Sequence, residues 1–440
     1  MRWIDLLAAL LIACIAAYLV AQPPLRALQG PTFDLLLAAR QALYGQEIHP
    51  NPPGGSPVVV VALDRETALR PPFDRLPKEL WTPQIAQVMD RALEGGALVV
   101  AQHEAFAASG ESALPGYDDD FLALLDRAGA EGQVVLGRRA PAPDRLGPLP
   151  GYVEAVGGDR NLRRTALYPD ADGVLRHAAL YETSRDSTGV VTINPSLALE
   201  LAARVLGERP RLLNGDAMQL GRYTVPGASE NAMLLNFQGG DGGVPMFSLG
   251  DLHACAKAED AAFFRKHFDN RVVLFGRIDA PRWRRATAER FLGVHDADRY
   301  DVRCRLPVME SLVGSDDSAT TPAVLVTATA VRNLLQRDAI KTLPHYAALL
   351  VSGLLAMAAA FAMLRVPRIV VAPATLVLLA VWCYLAVVML ARENWLMPLA
   401  QPFIAMAFAF AVAWCFDAVR RLYPGKQRPS KAAGEASPAD

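Results

Sequence analysis

The sequence is poor in the patterns that announce an enzyme. Its 440 residues hold no HExxH, no P-loop, no GxSxG and no CxxC. Zinc-hydrolase, nucleoside-triphosphatase, α/β-hydrolase and thioredoxin-like readings therefore have no motif to rest on. Net charge is equally scarce: 44 Lys and Arg against 45 Asp and Glu leave −1, which gives no hint of a nucleic-acid partner. There are only five cysteines. Long apolar runs are missing from the whole middle of the chain, and no run matches the opening one until Tyr346.

The two ends of the chain are apolar instead. Hydrophobic residues make up 52% and charged residues 20%, a mixture that suggests a soluble part joined to a membrane part. "WIDLLAALLIACIAAYLVA" opens the chain, and three further runs lie at about 346–364, 369–391 and 396–416. Each has about the 20 residues a helix needs to cross a bilayer. No small-x-small cleavage site follows the first run before "AQPP", so residues 1–21 are expected to remain as a membrane helix despite Asp5 near its start.

Basic residues near the helix ends set the orientation. Arg2, the pair Arg365 and Arg368, and the group Arg420, Arg421, Lys426, Arg428 and Lys431 fall on one side of a four-helix layout. Both termini are therefore expected in the cytoplasm. Residues 22–344 are expected outside, in the periplasm of a bacterial inner membrane, and 345–416 hold the last three spans. The tail, 417–440, is basic and then small and polar, a composition expected to be disordered. Cys255 and Cys304 are the only cysteines of the outer region. An oxidising compartment permits them to pair, and two separate buried thiols fit the sequence equally well.

The outer region reads as one large α/β domain. "SPVVVVALD" (56–64) is a β-branched run suited to a strand buried on both faces. "PKELWTPQIAQVMDRALEGG" has helical spacing and stops at Gly95-Gly96, and "ALVVAQ" is a second strand, so a right-handed βαβ unit is expected. "DDDFLALLDRAG", "NPSLALELAARVLG" with Asn194 as cap, and "TPAVLVTATAVRNLLQRD" read as helices; "QVVLGRR", "NAMLLNF" and "NRVVLFG" read as strands. "LRRTALYPDADGVLRHAALYE" alternates on either side of a turn, the pattern of an antiparallel hairpin. The fold class is thus a mixed sheet with βαβ units and a hairpin, plus one membrane helix before it and three after. Asp170 to Gly173 do not start a calcium loop, because Gly falls at position four and Tyr181 at position twelve. Gly173 is expected to supply the positive φ of the turn.

Candidate chemistry is sparse. Asp64 ends the first strand, where ligands gather in open α/β sheets, and His103 and Glu104 follow the second strand at the same edge. Together they could bind a ligand, hold a metal or move a proton. The plainer reading, polar residues capping nearby helices, is preferred, and no catalytic residue, metal or cofactor is expected. "GGDGG" (239–243) is a flexible loop. "RIDAPRWRRATAERF" carries five arginines (277, 282, 284, 285 and 290) and reads as a solvated basic segment, with lipid headgroups, an anionic ligand or a protein partner as alternatives.

In their order these stretches resemble a known family. "FDLLLAAR" after the first membrane helix, "VVVVALD", "ALVVAQHEAF", "DADGVLRHAALY", "NPSLALELAA", "NAMLLNF", "RVVLFG" and "TPAVLVTATAVRNLL" before the next are similar to the CHASE2 domain, an extracytoplasmic sensor module of bacterial signalling proteins. The resemblance covers about 300 residues and the one-before, three-after membrane layout. It implies a receptor that detects an extracytoplasmic ligand or protein and works as a homodimer. Such modules usually feed a cyclase or kinase, and the tail here is too short for one. The expectation is therefore a separate output partner. The alternatives are a non-catalytic scaffold or regulatory subunit, and the N-terminal part of a cyclase or kinase. Two positions depart from the family pattern: His103 stands where an Asp is usual, and Thr327 stands where the pattern has His.

Overall fold

The computed structural model describes residues 2–422 except 27, 46–54, 105, 112–113, 139–147, 166, 186–190, 214–216, 228–230, 239–242, 280–283, 293–301 and 308–319. Most of the expected tail and all but one residue of the "GGDGG" loop lie outside the described residues. The chain divides into two compact units.

In the larger unit, α2 (Gln29–Tyr44) follows the first helix, α1 (Arg2–Val20), and precedes β1 (Val58–Leu63). The chain then runs through α3 (Arg65–Ala68), α4 (Thr82–Glu94), β2 (Val99–Gln102), α5 (Asp119–Ala130), β3 (Val134–Arg138) and β4 (Leu162–Arg164). After a long excursion with α6 (Leu197–Leu206) come β5 (Met246–Ser248), α7 (Leu249–Lys257), α8 (Ala261–Phe268), β6 (Val272–Arg277) and α9 (Ala323–Gln336). The six strands form one parallel sheet in the order β5-β1-β6-β2-β3-β4. Every direct crossover steps the same way along the sheet. Right-handed crossovers therefore place α4, α5, α7 and α8 on one face, where they pack on Val59, Val61, Leu63, Val100, Val273 and Phe275. α6 and α9 cover the other face. All six β1 residues are fully buried, the reason the strand reads as an unbroken Val run rather than an alternating one.

The expected helices and central strands are present within a few residues, and three expectations need correction. The segment 162–181 is not a hairpin. Leu162–Arg164 joins the parallel sheet beside β3, while His177–Ala178 pairs antiparallel with Met233–Leu234. "NAMLLNF" therefore contributes to a two-stranded ladder and not to the main sheet. The antiparallel pair that does follow the turn is Tyr181–Arg185 with Val191–Pro195. Alternation alone could not separate these cases, because it reports which face is buried and not which strand is the neighbour. The cap of α6 is Ser196, whose Oγ accepts the Leu199 N–H at 3.4 Å, and not Asn194.

The smaller unit holds α1, α10 (His345–Arg365), most of α11 (Arg368–Glu393) and α12 (Ala400–Leu422). α10, α11 and α12 are long and apolar enough to cross a membrane; the apolar stretch of α1, Asp5–Val20, is shorter. α1, α10 and α12 share a seam of small side chains that includes Ala9, Ala13, Ala16, Ala356, Ala360, Ala405 and Ala409. Small residues let backbones approach closely where the lipid supplies no hydrophobic drive. Asp5 of α1 is paired with Arg365 of α10 at 2.8 Å.

Candidate functional site

The strand-end candidates separate. Asp64 leaves β1 in extended conformation and caps α3, its Oδ1 accepting the Thr67 N–H at 2.7 Å. Burial pushes its carboxyl up, against the opposing hydrogen bonds from Thr67 and Ser248. Beside it, Lys78 Nζ donates to Leu63 O at 2.9 Å and to Asp279 at 2.6 Å, over the Trp81 ring. His103 follows β2, and its Nε2 lies 3.0 Å from Thr327 Oγ1 on α9. Strand β6 runs between β1 and β2, so the two strand ends stand about 10 Å apart at the backbone. Asp64 and His103 consequently have different partners. For Glu104, the main-chain oxygen accepts from Gln102 Nε2 at 3.2 Å. The capping expectation fits the geometry of Asp64. His103 and Thr327, the two positions that the resemblance marked as departures, touch each other.

The "YPDADGVLR" stretch has a larger role than its sequence suggested. Gly173 has φ +79° and donates its N–H to Asp170 O at 2.9 Å, and Asp172 Oδ1 accepts the Val174 N–H. This folds the two aspartates back onto Arg176. The guanidinium meets Asp170 Oδ2 at 2.9 Å and Asp172 Oδ2 at 2.8 Å, and holds Asp34 of α2 through two parallel bonds of 2.8 and 2.7 Å. Arg176 is 2% exposed, so an arginine fills the centre of the acidic cluster. For Asp170, burial raises the carboxyl, and the hydrogen bonds from His177 and Arg176 outweigh it, leaving the group below the usual range. Gly30, one turn before Asp34, makes room: a Cβ there would come within 2.7 Å of Arg176 Nη1. The result is a clasp between α2 and the sheet domain.

A second buried polar joint centres on Asn236, which is fully buried. Its Oδ1 accepts from Arg40 of α2 at 2.7 Å. Its Nδ2 donates to Asp338 O at 3.0 Å and to Asn394 Oδ1 at 3.1 Å. Its main chain is held by Asn333 Oδ1 and Arg332 of α9. Burial lowers Arg40 to about 10, with Asp338 opposing and Arg332 adding to the drop. By chain connection, Arg40 lies on the helix that follows α1, Asp338 precedes α10, and Asn394 lies in the turn between α11 and α12. The same turn adds a short parallel ladder, Lys341–Thr342 with Trp395–Leu396. Sequence reading missed this joint; the one signal was asparagine inside the apolar "LLNF" and "VRNLL" runs, since a buried amide has to find partners.

Comparison with known proteins decides the family. The family model of the CHASE2 domain matches residues 8–364. This chain belongs to the CHASE2 family. No match is found among curated proteins, nor among solved structures. CHASE2 is an extracytoplasmic sensory domain family, and no catalytic domain is detected.

The remaining sequence candidates fall within this CHASE2 region. Cys255 Sγ and Cys304 Sγ are at bonding distance, 1.99 Å. Next to them, buried Asp251 accepts the N–H groups of Cys304, Arg305 and Leu306 at 2.7, 2.9 and 2.6 Å, and Arg303 is paired with Glu66 of α3. Segment 302–307 is thereby strapped to α7 and α3. The arginine-rich stretch is folded into the domain more than the expected solvated segment: Arg277 pairs with Glu79 at 2.5 Å, Arg284 donates to Thr320 O at 2.7 Å, and Arg290 lies 3.9 Å from Asp34.

Proposed function

We propose that this CHASE2 protein is a membrane-bound sensory receptor that detects an extracytoplasmic signal and passes it to a separate output partner. In this reading it has four membrane helices and cytoplasmic termini, residues 22–344 face the periplasm, and two copies work together. The observation that carries the reading is the Asn236 joint. One buried amide bonds to the segments that lead to α1 and α10 and to the turn between α11 and α12. A shift of the sheet domain would then bias all of them at once, because a buried hydrogen-bond network exchanges partners as a unit. The signal would act on the domain, with the Asp64, His103 and Glu104 edge as the first place to search for ligand contacts.

The test uses the full chain in membranes. Leu213→Cys, on an exposed part of the domain, should react with an impermeant maleimide in spheroplasts, while a C-terminal epitope should be cut only after the membranes are opened. Asn236→Ala should raise hydrogen exchange together in α2, at 341–342 and at 394–396. Inverted labelling would remove the receptor orientation. A response confined to one of the three segments would remove the coupling role.

A further inference from the structure

Three donor groups lie together beside α7. The Sγ atoms of Cys255 and Cys304 and a carboxylate oxygen of Asp260 are all within 4.8 Å of one another. Each group is held by bonds that do not involve the disulfide. Cys255 is fully buried on α7. Asp260 donates its N–H to Cys255 O at 3.3 Å, and its Oδ1 caps α8 by accepting the Phe263 N–H at 3.1 Å. Cys304 is set by the bonds of its segment to Asp251. Both Asp251 oxygens accept those N–H groups, so this carboxylate braces the segment. Opening the sulfur–sulfur bond therefore leaves the three main-chain positions supported.

The donor set and its spacing suit a zinc-type ion. Tetrahedral bonds of about 2.3 Å to sulfur and about 2.0 Å to oxygen place neighbouring ligand atoms about 3.5–3.8 Å apart. The Cα atoms of the two cysteines are 5.9 Å apart, and rotation about each Cα–Cβ bond lets the freed sulfurs part to that spacing. Two thiolates select a thiophilic cation, whereas calcium and magnesium take oxygen ligands. The charges also close. Two thiolates and a carboxylate exceed a divalent ion by one negative charge, and Arg305, with Nη2 3.2 Å from Asp260 Oδ2, supplies the missing positive one. The Asp260 side chain is 30% exposed and Cys304 is only partly buried, which opens a path for the ion and room for a water.

We propose that, once the Cys255–Cys304 bond is reduced, the two thiolates and the Asp260 carboxylate bind one thiophilic divalent cation of the zinc type, with water in a fourth position. A dithiol reductant gives two electrons and two protons to the sulfurs and becomes a disulfide itself. Binding of the ion then releases the two thiol protons. The disulfide and the ion exclude each other, because both use the same two sulfurs. In the dithiol state the ion takes over the link between α7 and segment 302–307.

The experiment uses the full chain in detergent, with Cys14, Cys383 and Cys415 replaced by Ser. The disulfide is reduced with a phosphine, which is removed under nitrogen, and cobalt(II) is titrated as a spectroscopic stand-in for zinc. The reduced chain should take up one cobalt, with a thiolate-to-metal charge-transfer band and the strong visible bands of tetrahedral coordination, both erased by zinc. The oxidised chain should show neither. Asp260→Asn keeps both cysteines and a residue able to cap α8. It should weaken cobalt binding by more than about tenfold, the loss that removing even an outer partner of a ligand gives. Tetrahedral bands absent from the reduced chain, or equally strong in the oxidised one, would overturn the proposal. So would a reduced chain in which α7 and α8 exchange hydrogen as unfolded segments with zinc present. An Asp260→Asn chain that binds cobalt as tightly as its parent would overturn the three-ligand site.

Discussion

Replacing Arg176 by Met tests the clasp most directly. In the folded protein the guanidinium compensates three carboxylates, and the innermost, Asp34, is 3% exposed. Without Arg176, the cation left near Asp34 among the described residues is Arg290 at 3.9 Å. Removing one partner of a buried pair costs about 3–5 kcal/mol, because the other is left as an uncompensated charge. Asp34→Asn is a milder change, since Arg176 keeps Asp170 and Asp172, and about 1–3 kcal/mol is expected. The Asp172 side chain is 40% exposed, so Asp172→Asn should cost less than about 1 kcal/mol. Arg176→Met combined with Asp34→Leu should cost less than the sum of the two single changes, because no charge is then stranded. The measurement is urea unfolding of the full-length protein in detergent, followed by tryptophan fluorescence, with hydrogen exchange to place the loss in α2. An Arg176→Met protein within about 1 kcal/mol of wild type would refute the reasoning. An Asp172→Asn protein as unstable as Arg176→Met would do the same.

Other consequences can be measured on the same samples. Gly30→Ala should destabilise α2, because the new Cβ meets a guanidinium that three carboxylates hold in place; wild-type exchange rates in α2 would contradict this. Cys255 and Cys304 are 49 residues apart, and chain-entropy arithmetic for such a loop gives about 4 kcal/mol. Dithiothreitol should therefore lower Tm in the wild type and leave a Cys255→Ser, Cys304→Ser protein unchanged. Burial, assisted by Lys257, lowers His253 to about 4, whereas an unfolded histidine titrates near about 6.5. Between these values the unfolded chain binds the extra proton, so stability should fall as pH drops from about 6.5 to about 4. His253→Leu should flatten that slope, and an unchanged slope would count against it.

Local patterns made much of this protein legible. The Val-rich β1 run, the 3.6-residue spacing of α4, α5 and α6, and three apolar stretches of membrane length each report a property that neighbouring residues share. They appear where the sequence placed them. The strand between 162 and 164 shows the limit: its alternation was visible, yet its neighbour is β3 and not the segment after the turn. The site was less legible still. Asp64 and His103 follow successive strands of the chain, and only the insertion of β6 between them keeps them apart.

The sequence by itself determined the family, the βαβ beginning and the division into an α/β domain and apolar helices, because these depend on composition and short-range periodicity. Tertiary structure alone decided the partners of the buried polar groups. Asp34 and Arg176 are 142 residues apart in the chain, and Arg40 and Asn236 are 196 apart. Nothing local marks such pairs; a guanidinium and a carboxylate find each other only when the core that excludes water has brought their helices and loops together.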